Sequence, residues 1–153
     1  MTCRRSPDAA HTRTECIKMP STFLTPYLYF SGECREAMAF YQQVFGGELS
    51  VLTFGAADPS APESLKDKVM HANIMDGPIK LMACDDPEGK THGLGNIRLT
   101  LHGKDRTELE AWYDQLSAEG TIIHALQQQM WGDVYGEVTD RFGIRWMFNI
   151  AGN

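Results

Sequence analysis

The chain reads Val138-Thr139-Asp140-Arg141-Phe142-Gly143-Ile144-Arg145-Trp146-Met147 near its C-terminus. A polar turn, 140–143, separates a short apolar run from an alternating segment, 144–150. This pattern is typical of a β-hairpin whose short turn ends in glycine. It predicts a strand on each side of the turn, and Asp140 is expected to anchor the turn through its side chain.

The first half of the chain follows the order β-α-β-β-β. Strands are predicted at 24–30, 48–54, 69–75 and 79–85. The helix between the first two strands is indicated by apolar residues at helical spacing: Cys34, Ala37, Met38, Tyr41, Val44 and Phe45. Gly46-Gly47 is expected to end this helix, residues 55–68 read as a polar loop, and Asp76-Gly77 predicts a tight hairpin turn.

The second half repeats the same order. A strand is predicted at 96–102, and Asp105 with Glu108 forms a capping box for the following helix. The apolar stripe of that helix consists of Leu109, Trp112, Tyr113 and Leu116. Gly120 is its expected stop, and strands follow at 121–126, 135–139 and 144–150. A repeated unit that is too small to bury its own apolar face implies that the two copies pack together.

Several motifs carry a resemblance to a known family. They are Pro26-Tyr27-Leu28-Tyr29-Phe30 with Gly32, Ala37-x-x-Phe40-Tyr41-x-x-Val44-Phe45-Gly46-Gly47, Met70-His71-Ala72, and Trp131-Gly132-Asp133-Val134-Tyr135-Gly136 before the final hairpin. In this order, over residues 22–151, the chain resembles the PhnB-like branch of the vicinal-oxygen-chelate superfamily, the group of glyoxalase I and the bleomycin-resistance proteins. The resemblance implies an α+β fold of two βαβββ modules, about 24–86 and 95–151, within a single domain at 19–153. It also implies a cupped mixed sheet with helices on its outer face, and a homodimer.

Strand alternation assigns residues to two faces. Across the predicted turn at Asp76-Gly77, Asn73 is expected to pair with Lys80, and His71 with Met82. One face is then apolar: Met70, Ala72, Ile74, Ile79, Leu81 and Ala83. The other face is mixed: His71, Asn73, Lys80, Met82 and Cys84. Residues 96–102 and 145–150 divide in the same way, with Asn96, Arg98, Thr100, His102, Arg145, Met147 and Asn149 on their mixed face and with Ile97, Leu99, Leu101, Trp146, Phe148 and Ile150 on their apolar face.

The resemblance implies that the mixed face lines a ligand-binding cup. The predicted ligand-binding residues are Asn73, Met82, Asn96, Arg98 and Met147, with Trp131 at the rim. His71 is the candidate catalytic residue, because histidine changes its charge near neutral pH. The alternative is that the mixed face is the solvent-exposed side of an antiparallel sheet, and that His71 is a hydrogen-bonded structural residue.

The predicted site departs from the metal-dependent pattern of the family. In metal-dependent members, His or Glu ligands come from four cup strands, and the corresponding positions here are Pro26, Met82, Asn96 and Met147. None of these is an imidazole or a carboxylate, the groups that zinc and harder divalent ions require. We therefore expect no metal and no other cofactor. A soft copper(I) site from His71, Met82 and Cys84 is the alternative, against the interpretation that Met and Cys line an apolar pocket.

These observations favour a metal-free protein that binds a small molecule, similar to the bleomycin-resistance type. A metal-independent lyase or isomerase that uses His71 as acid or base is the second hypothesis. An interaction module without a small ligand is the third. Only one candidate site residue titrates near neutral pH, and this favours binding over catalysis.

Bulk properties agree with these hypotheses. The 153 residues suffice for one domain with a core, and the net charge of −6 argues against nucleic-acid binding. No apolar run reaches the length of a membrane span. The four cysteines show no CxxC spacing, which favours a reducing cytosol over a disulfide framework. Residues 1–18 have no periodic apolar face, so we interpret them as a disordered extension or the product of an upstream start codon.

Overall fold

A computed structural model describes residues 24–90, 93 and 95–152. The α+β architecture of two βαβββ modules is confirmed: each module forms one four-stranded mixed sheet. The expectation for residues 1–18 lies outside the described residues.

The first module begins with β1 (Tyr27–Phe30), α1 (Cys34–Phe45) and β2 (Leu49–Thr53). Two short helices follow, α2 (Phe54–Ala57) and α3 (Glu63–Lys66), and then β3 (Val69–Ile74) and β4 (Leu81–Asp85). The strand order is β1-β4-β3-β2. The β1–β4 pair is parallel, whereas β4–β3 and β3–β2 are antiparallel.

The second module repeats this arrangement with β5 (Leu99–Gly103), α4 (Arg106–Ser117), β6 (Thr121–Gln128), β7 (Val134–Thr139) and β8 (Arg145–Ile150). Its strand order is β5-β8-β7-β6, with a parallel β5–β8 pair. Because β5 and β8 occupy the places of β1 and β4, the two sheets are topologically equivalent.

The two long helices form where the apolar spacing predicts them. The six predicted stripe residues of α1 and the four of α4 are all buried. Asp105 caps α4 by accepting a hydrogen bond from the Glu108 amide at 3.0 Å. The start of α1 is held differently: buried Asp85, at the end of β4, accepts a hydrogen bond from the Cys34 amide at 2.9 Å. This carboxylate also accepts from the Val69 amide at 2.8 Å, so it joins a helix and two strands.

One hydrophobic core serves both modules. Phe45 of α1 packs edge-on against Trp112 of α4, with ring centroids 5.2 Å apart, and against Trp146 of β8 at 5.3 Å. The apolar faces of both sheets contribute to the same cluster of buried side chains. The modules therefore fold around shared contacts, as the internal repeat indicates.

The hairpin register differs from the prediction by two residues. Asn73 pairs with Met82, and Ile74 pairs with Leu81, because the connection between β3 and β4 spans residues 75–80 rather than a two-residue turn. The predicted pairs Asn73–Lys80 and His71–Met82 are therefore wrong. A shift of two residues preserves side-chain parity, so the assignment of these residues to faces is unaffected.

Alternation also fails at two places. The pairing of β2 with β3 shifts register between Leu52 and Thr53. Val69 therefore lies in the core and Met70 is half-buried, which reverses the prediction for Met70. Ile97 precedes β5 and is exposed, although an apolar, helix-facing position was expected. The predicted loop at 55–68 contains α2 and α3.

Candidate functional site

The mixed face of the first sheet gathers aromatic, polar and sulfur-containing side chains. Tyr27 and Tyr29 of β1 pair in register with Met82 and Cys84 of β4. Asn73 of β3 lies on the other side of Met82. The predicted ligand-binding residues Asn73 and Met82 are thus neighbours on this face, and both are half-buried.

A hydrogen-bonded pair lies on this face. The Tyr27 hydroxyl is 3.0 Å from Nδ1 of His71, and the two rings lie 5.7 Å apart. The Cys84 thiol belongs to the same face, opposite Tyr29 in the strand register. Burial, followed by the influence of Cys84, raises the pKa of Tyr27 to about 12. Burial also raises the pKa of the Cys84 thiol, so both groups are protonated at neutral pH.

The mixed face of the second sheet is organised around a buried carboxylate. Glu137 of β7 is only 8% exposed, and its Oε1 accepts a hydrogen bond from Nε of Arg98 at 3.1 Å. Oε2 of Glu137 lies 3.5 Å from the Tyr135 hydroxyl. Nη1 of Arg98 donates to the carbonyls of Gly95 and Ile97, so two of its three guanidinium nitrogens are engaged within the protein. The Arg98 guanidinium is therefore largely engaged by Glu137 and the two carbonyls, and it is less available to an anionic ligand.

Strand pairing shows which side chains lie beside the two methionines of the predicted ligand positions. Tyr27 of β1 pairs with Met82, and Thr100 of β5 pairs with Met147. The Thr100 hydroxyl lies 4.0 Å from the Met147 sulfur. Two methionines, a tyrosine and a threonine do not fit a divalent ion that prefers imidazole and carboxylate ligands.

Across residues 24–90, 93 and 95–152, no group of three or more His, Cys, Asp or Glu side chains is placed to hold a metal ion. The Glu137 carboxylate is committed to Arg98.

The predicted site residues fall into three groups. His71, Asn73 and Met82 lie on strands of the first sheet. Met147 lies on β8 of the second sheet, and Arg98, just ahead of β5, contacts Glu137 of that sheet. The contacts described above each stay within one sheet. Asn96 is exposed ahead of β5, and Trp131 is 61% exposed at the tip of the β6–β7 hairpin, where the Gly132 amide donates to the Gln129 carbonyl.

The sequence prediction does not assign Glu137, Tyr27 or Tyr29 to the mixed faces. Glu137 could have been found, because counting back across the Asp140 turn from Met147 places it on the mixed face of β7. Tyr27 and Tyr29 could not, because their face depends on the parallel pairing of β1 with β4, which no turn specifies. Trp146 and Asp140, assigned to the core and to the turn, are confirmed in those roles.

Comparisons with known proteins agree with this architecture. Residues 24–148 match the family model of the Glyoxalase/Bleomycin resistance protein/Dioxygenase superfamily. Protein YjdN of Escherichia coli is 35% identical over 140 residues, which cover 84% of this chain and 95% of YjdN. The crystal structure of protein PA1353 from Pseudomonas aeruginosa is 36% identical with a TM-score of 0.76, covering 87% of this chain and all of that one.

A PhnB protein from Bacillus cereus is a more distant structural neighbour. It shares 22% identity and a TM-score of 0.68, covering 85% of this chain and 100% of that chain. At this identity, the likeness shows the fold.

Proposed function

Because this chain belongs to the glyoxalase/bleomycin resistance protein/dioxygenase superfamily, we propose that it is a metal-free protein that binds a small organic molecule. The ligand lies against the mixed faces of the sheets. The observation that carries this proposal is the character of the four positions at which metal-dependent relatives place their ligands. The sequence assigns these positions to Pro26, Met82, Asn96 and Met147, and the side chains paired with the two methionines are Tyr27 and Thr100.

The chemistry of the two faces supports binding. The first sheet offers the aromatic rings of Tyr27 and Tyr29, which lie 5.5 Å apart and are 42% and 50% exposed. The second sheet offers the polar pair of Arg98 and Glu137. Ligand sites commonly combine apolar and aromatic walls with a few fixed polar groups.

Native mass spectrometry of protein purified from its own host tests ligand binding. We expect a retained organic molecule that is lost on denaturation, and a variant in which Tyr29 is replaced by Ala should retain less of it. Leu24→Ala serves as the matched control, because Leu24 is exposed outside the strands. Equal retention by both variants would place the ligand elsewhere.

Elemental analysis tests the proposal that the protein binds no metal ion. After dialysis, we expect far less than one zinc, nickel, iron or manganese ion per chain, and an unchanged melting temperature after treatment with a chelator. About one such ion per chain would refute this part of the proposal while leaving ligand binding open.

We also propose that the protein works as a homodimer in which a second copy covers the exposed apolar groups. Ile122 and Ile123 of β6, Leu52 of β2 and the hairpin-tip Trp131 are all at least 40% exposed. Leu52 pairs with His71 on the mixed face of the first sheet, whereas Ile122 pairs with Val138 on the other face of the second sheet. Sedimentation equilibrium should give a mass near twice that of the 17.1 kDa chain, and Trp131→Ala should weaken the dimer. A monomer at micromolar concentration would contradict this proposal.

The second candidate function is a metal-independent lyase or isomerase. It is favoured by the hydrogen bond between Tyr27 and His71, which fixes an imidazole on the mixed face. If the protein is an enzyme, the retained molecule should be converted during incubation by the wild type and persist unchanged in His71→Gln. Equal persistence in both proteins supports binding alone.

The cytosolic location remains part of the proposal. Cys34 and Cys84 carry free thiols. Within the part of the chain that the structure describes, no helix is long and apolar enough to cross a membrane.

A further inference from the structure

The Tyr27 hydroxyl and the His71 imidazole form a close pair. The phenolic oxygen is 3.0 Å from Nδ1 of His71. An imidazole nitrogen without a proton is a stronger acceptor than a phenolic oxygen, and the phenolic O–H is a good donor. The strongest arrangement therefore directs the phenolic O–H to the imidazole.

The protonation of the phenol supports this direction. Burial raises the pKa of Tyr27 to about 12, so the hydroxyl keeps its proton and can donate it to Nδ1 of His71.

The hydrogen bond from Tyr27 to Nδ1 determines which group lies on the far side of the imidazole. A neutral imidazole whose Nδ1 accepts a hydrogen bond carries its proton on Nε2. Thr25 Oγ1 is the one buried side-chain nitrogen or oxygen without a partner among the described residues. Nε2 of His71 is therefore either partnered or reached from solvent, and its side chain is half-buried on the mixed face.

We infer that Tyr27 holds His71 as the Nε2–H tautomer, so that His71 presents a hydrogen-bond donor to an oxygen acceptor of the ligand. The ligand class is a planar compound that bears a carbonyl or carboxylate oxygen, with its plane against the exposed rings of Tyr27 and Tyr29. The ligand class rests on the proposed function, which places the ligand on this face. The tautomer does not rest on it. Tyr27 is a positioning residue, since it acts through His71.

Nitrogen NMR tests the tautomer directly. Long-range proton–nitrogen spectra of uniformly labelled protein report which ring nitrogen is protonated, and His71→Gln identifies the signals of His71. At a pH where titration of the same signals shows a neutral ring, we expect the proton on Nε2. Replacement of Tyr27 by Phe should remove this preference and move the two nitrogen signals toward each other.

Tyr135→Phe is the matched control. Tyr135 is a tyrosine on the mixed face of the other sheet, where its hydroxyl faces Glu137. We expect this variant to leave the His71 signals unchanged. A proton on Nδ1 in the wild type, or a tautomer unaffected by Tyr27→Phe, would overturn the inference without touching the evidence for ligand binding.

Two simple probes test the ligand class. Benzoate has the planar ring and the oxygen acceptors, whereas benzylamine has a similar ring and a donor in place of the acceptors. Millimolar benzoate should shift the Nε2 signal of His71 in the wild type and shift it less in Tyr27→Phe, and benzylamine should not shift it. An equal response to both probes, or no response to benzoate, would overturn the ligand class. Retention of a molecule from the host, measured by native mass spectrometry, decides the proposed function separately.

Discussion

Asp140 stabilises the final hairpin through four hydrogen bonds. Its Oδ1 accepts from the amides of Phe142 and Ile144 at 2.9 and 3.0 Å, and its Oδ2 accepts from the Tyr41 hydroxyl and the Trp146 indole, both at 2.8 Å. Burial raises the pKa of this carboxyl against the opposing effect of these hydrogen bonds. The residue joins a turn, a helix of the first module and a strand of the second.

Asp140→Ala should therefore be among the most damaging single substitutions. It leaves two amides, a hydroxyl and an indole N–H without their acceptor, and we expect a loss of about 4 kcal/mol in the free energy of unfolding. Asp133→Ala is the control, because Asp133 precedes β7 and accepts hydrogen bonds from Asn149 and Gly152 at a more exposed site. It should cost about 1 kcal/mol. Urea unfolding measures both, and similar losses would contradict the central role of Asp140.

Tyr27 should make stability sensitive to alkali. Tyrosine in an unfolded chain has a pKa of about 10, whereas the pKa of Tyr27 in the folded protein is about 12. Between these values, the folded state binds the proton more tightly, so its stabilising contribution is complete below pH 10 and is lost as the pH rises toward 12.

Comparison with Tyr27→Phe isolates this effect from other titrating groups. The free energy of unfolding of the wild type should fall more steeply than that of the variant between about pH 10 and 12. Between about pH 8 and 9, above the titration range of histidine and below that of tyrosine, the difference between the two proteins should be constant. Parallel curves throughout the alkaline range would show that Tyr27 does not contribute in this way.

At the scale of elements, strand parity separates the core from the candidate site. Leu81 and Met82 are neighbours on β4, yet Leu81 is 1% exposed within the core and Met82 is half-buried on the mixed face. The two positions carry side chains of similar size. They offer a direct comparison of the two faces of one strand.

Leu81→Glu should destabilise the protein far more than Met82→Glu. The first substitution places a carboxylate among apolar side chains and should cost about 4 kcal/mol or more. The second places it beside polar and aromatic groups and should cost about 1 to 2 kcal/mol. Leu81→Met and Met82→Leu are size-matched controls that should each cost less than about 1.5 kcal/mol. If Met82→Glu proves more damaging in urea unfolding, the faces are assigned backwards.

At the scale of the whole molecule, the two modules depend on one core. Phe45 of the first module lies within 5.3 Å, between ring centroids, of Trp112 and Trp146 of the second. Tyr41 and Asp140 add a hydrogen bond between the modules. Neither module can lose its structure without exposing apolar surface of the other.

The protein should consequently unfold in one cooperative transition. Phe45→Ala should lower the free energy of unfolding by about 3 to 5 kcal/mol, and Phe45→Leu by less. Both variants should keep a single transition, since the lost contacts are shared by both modules. Circular dichroism and tryptophan fluorescence should report the same urea midpoint, and two separated midpoints would show that the modules fold independently.

Local sequence patterns predict the long helices and the strands, the repeat and most of the face assignments, whereas they miss α2 and α3 and misplace Met70 and Ile97. The helical spacing of Cys34 to Phe45, the cap at Asp105 and the Asp140–Gly143 turn are local signals, and each is confirmed. They are readable because a helix, a cap or a tight turn is encoded within a few consecutive residues. The predicted faces of β3 and β4 are unaffected by the two-residue register error between these strands, because an even shift keeps each side chain on the same face.

Only the tertiary structure decided which of these residues meet. Tyr27 reaches His71 because β1 pairs in parallel with β4. In the pair Tyr27–Met82, the two residues are 55 positions apart along the chain, and no turn links the two strands. Arg98 reaches Glu137 across the intervening strand β8 for the same kind of reason. Residues distant in sequence are brought together by the burial of the shared core, and local periodicity contains no information about that pairing. The candidate site therefore depends on the register between distant strands, whereas the fold class follows from the repeated order of elements that local patterns predict.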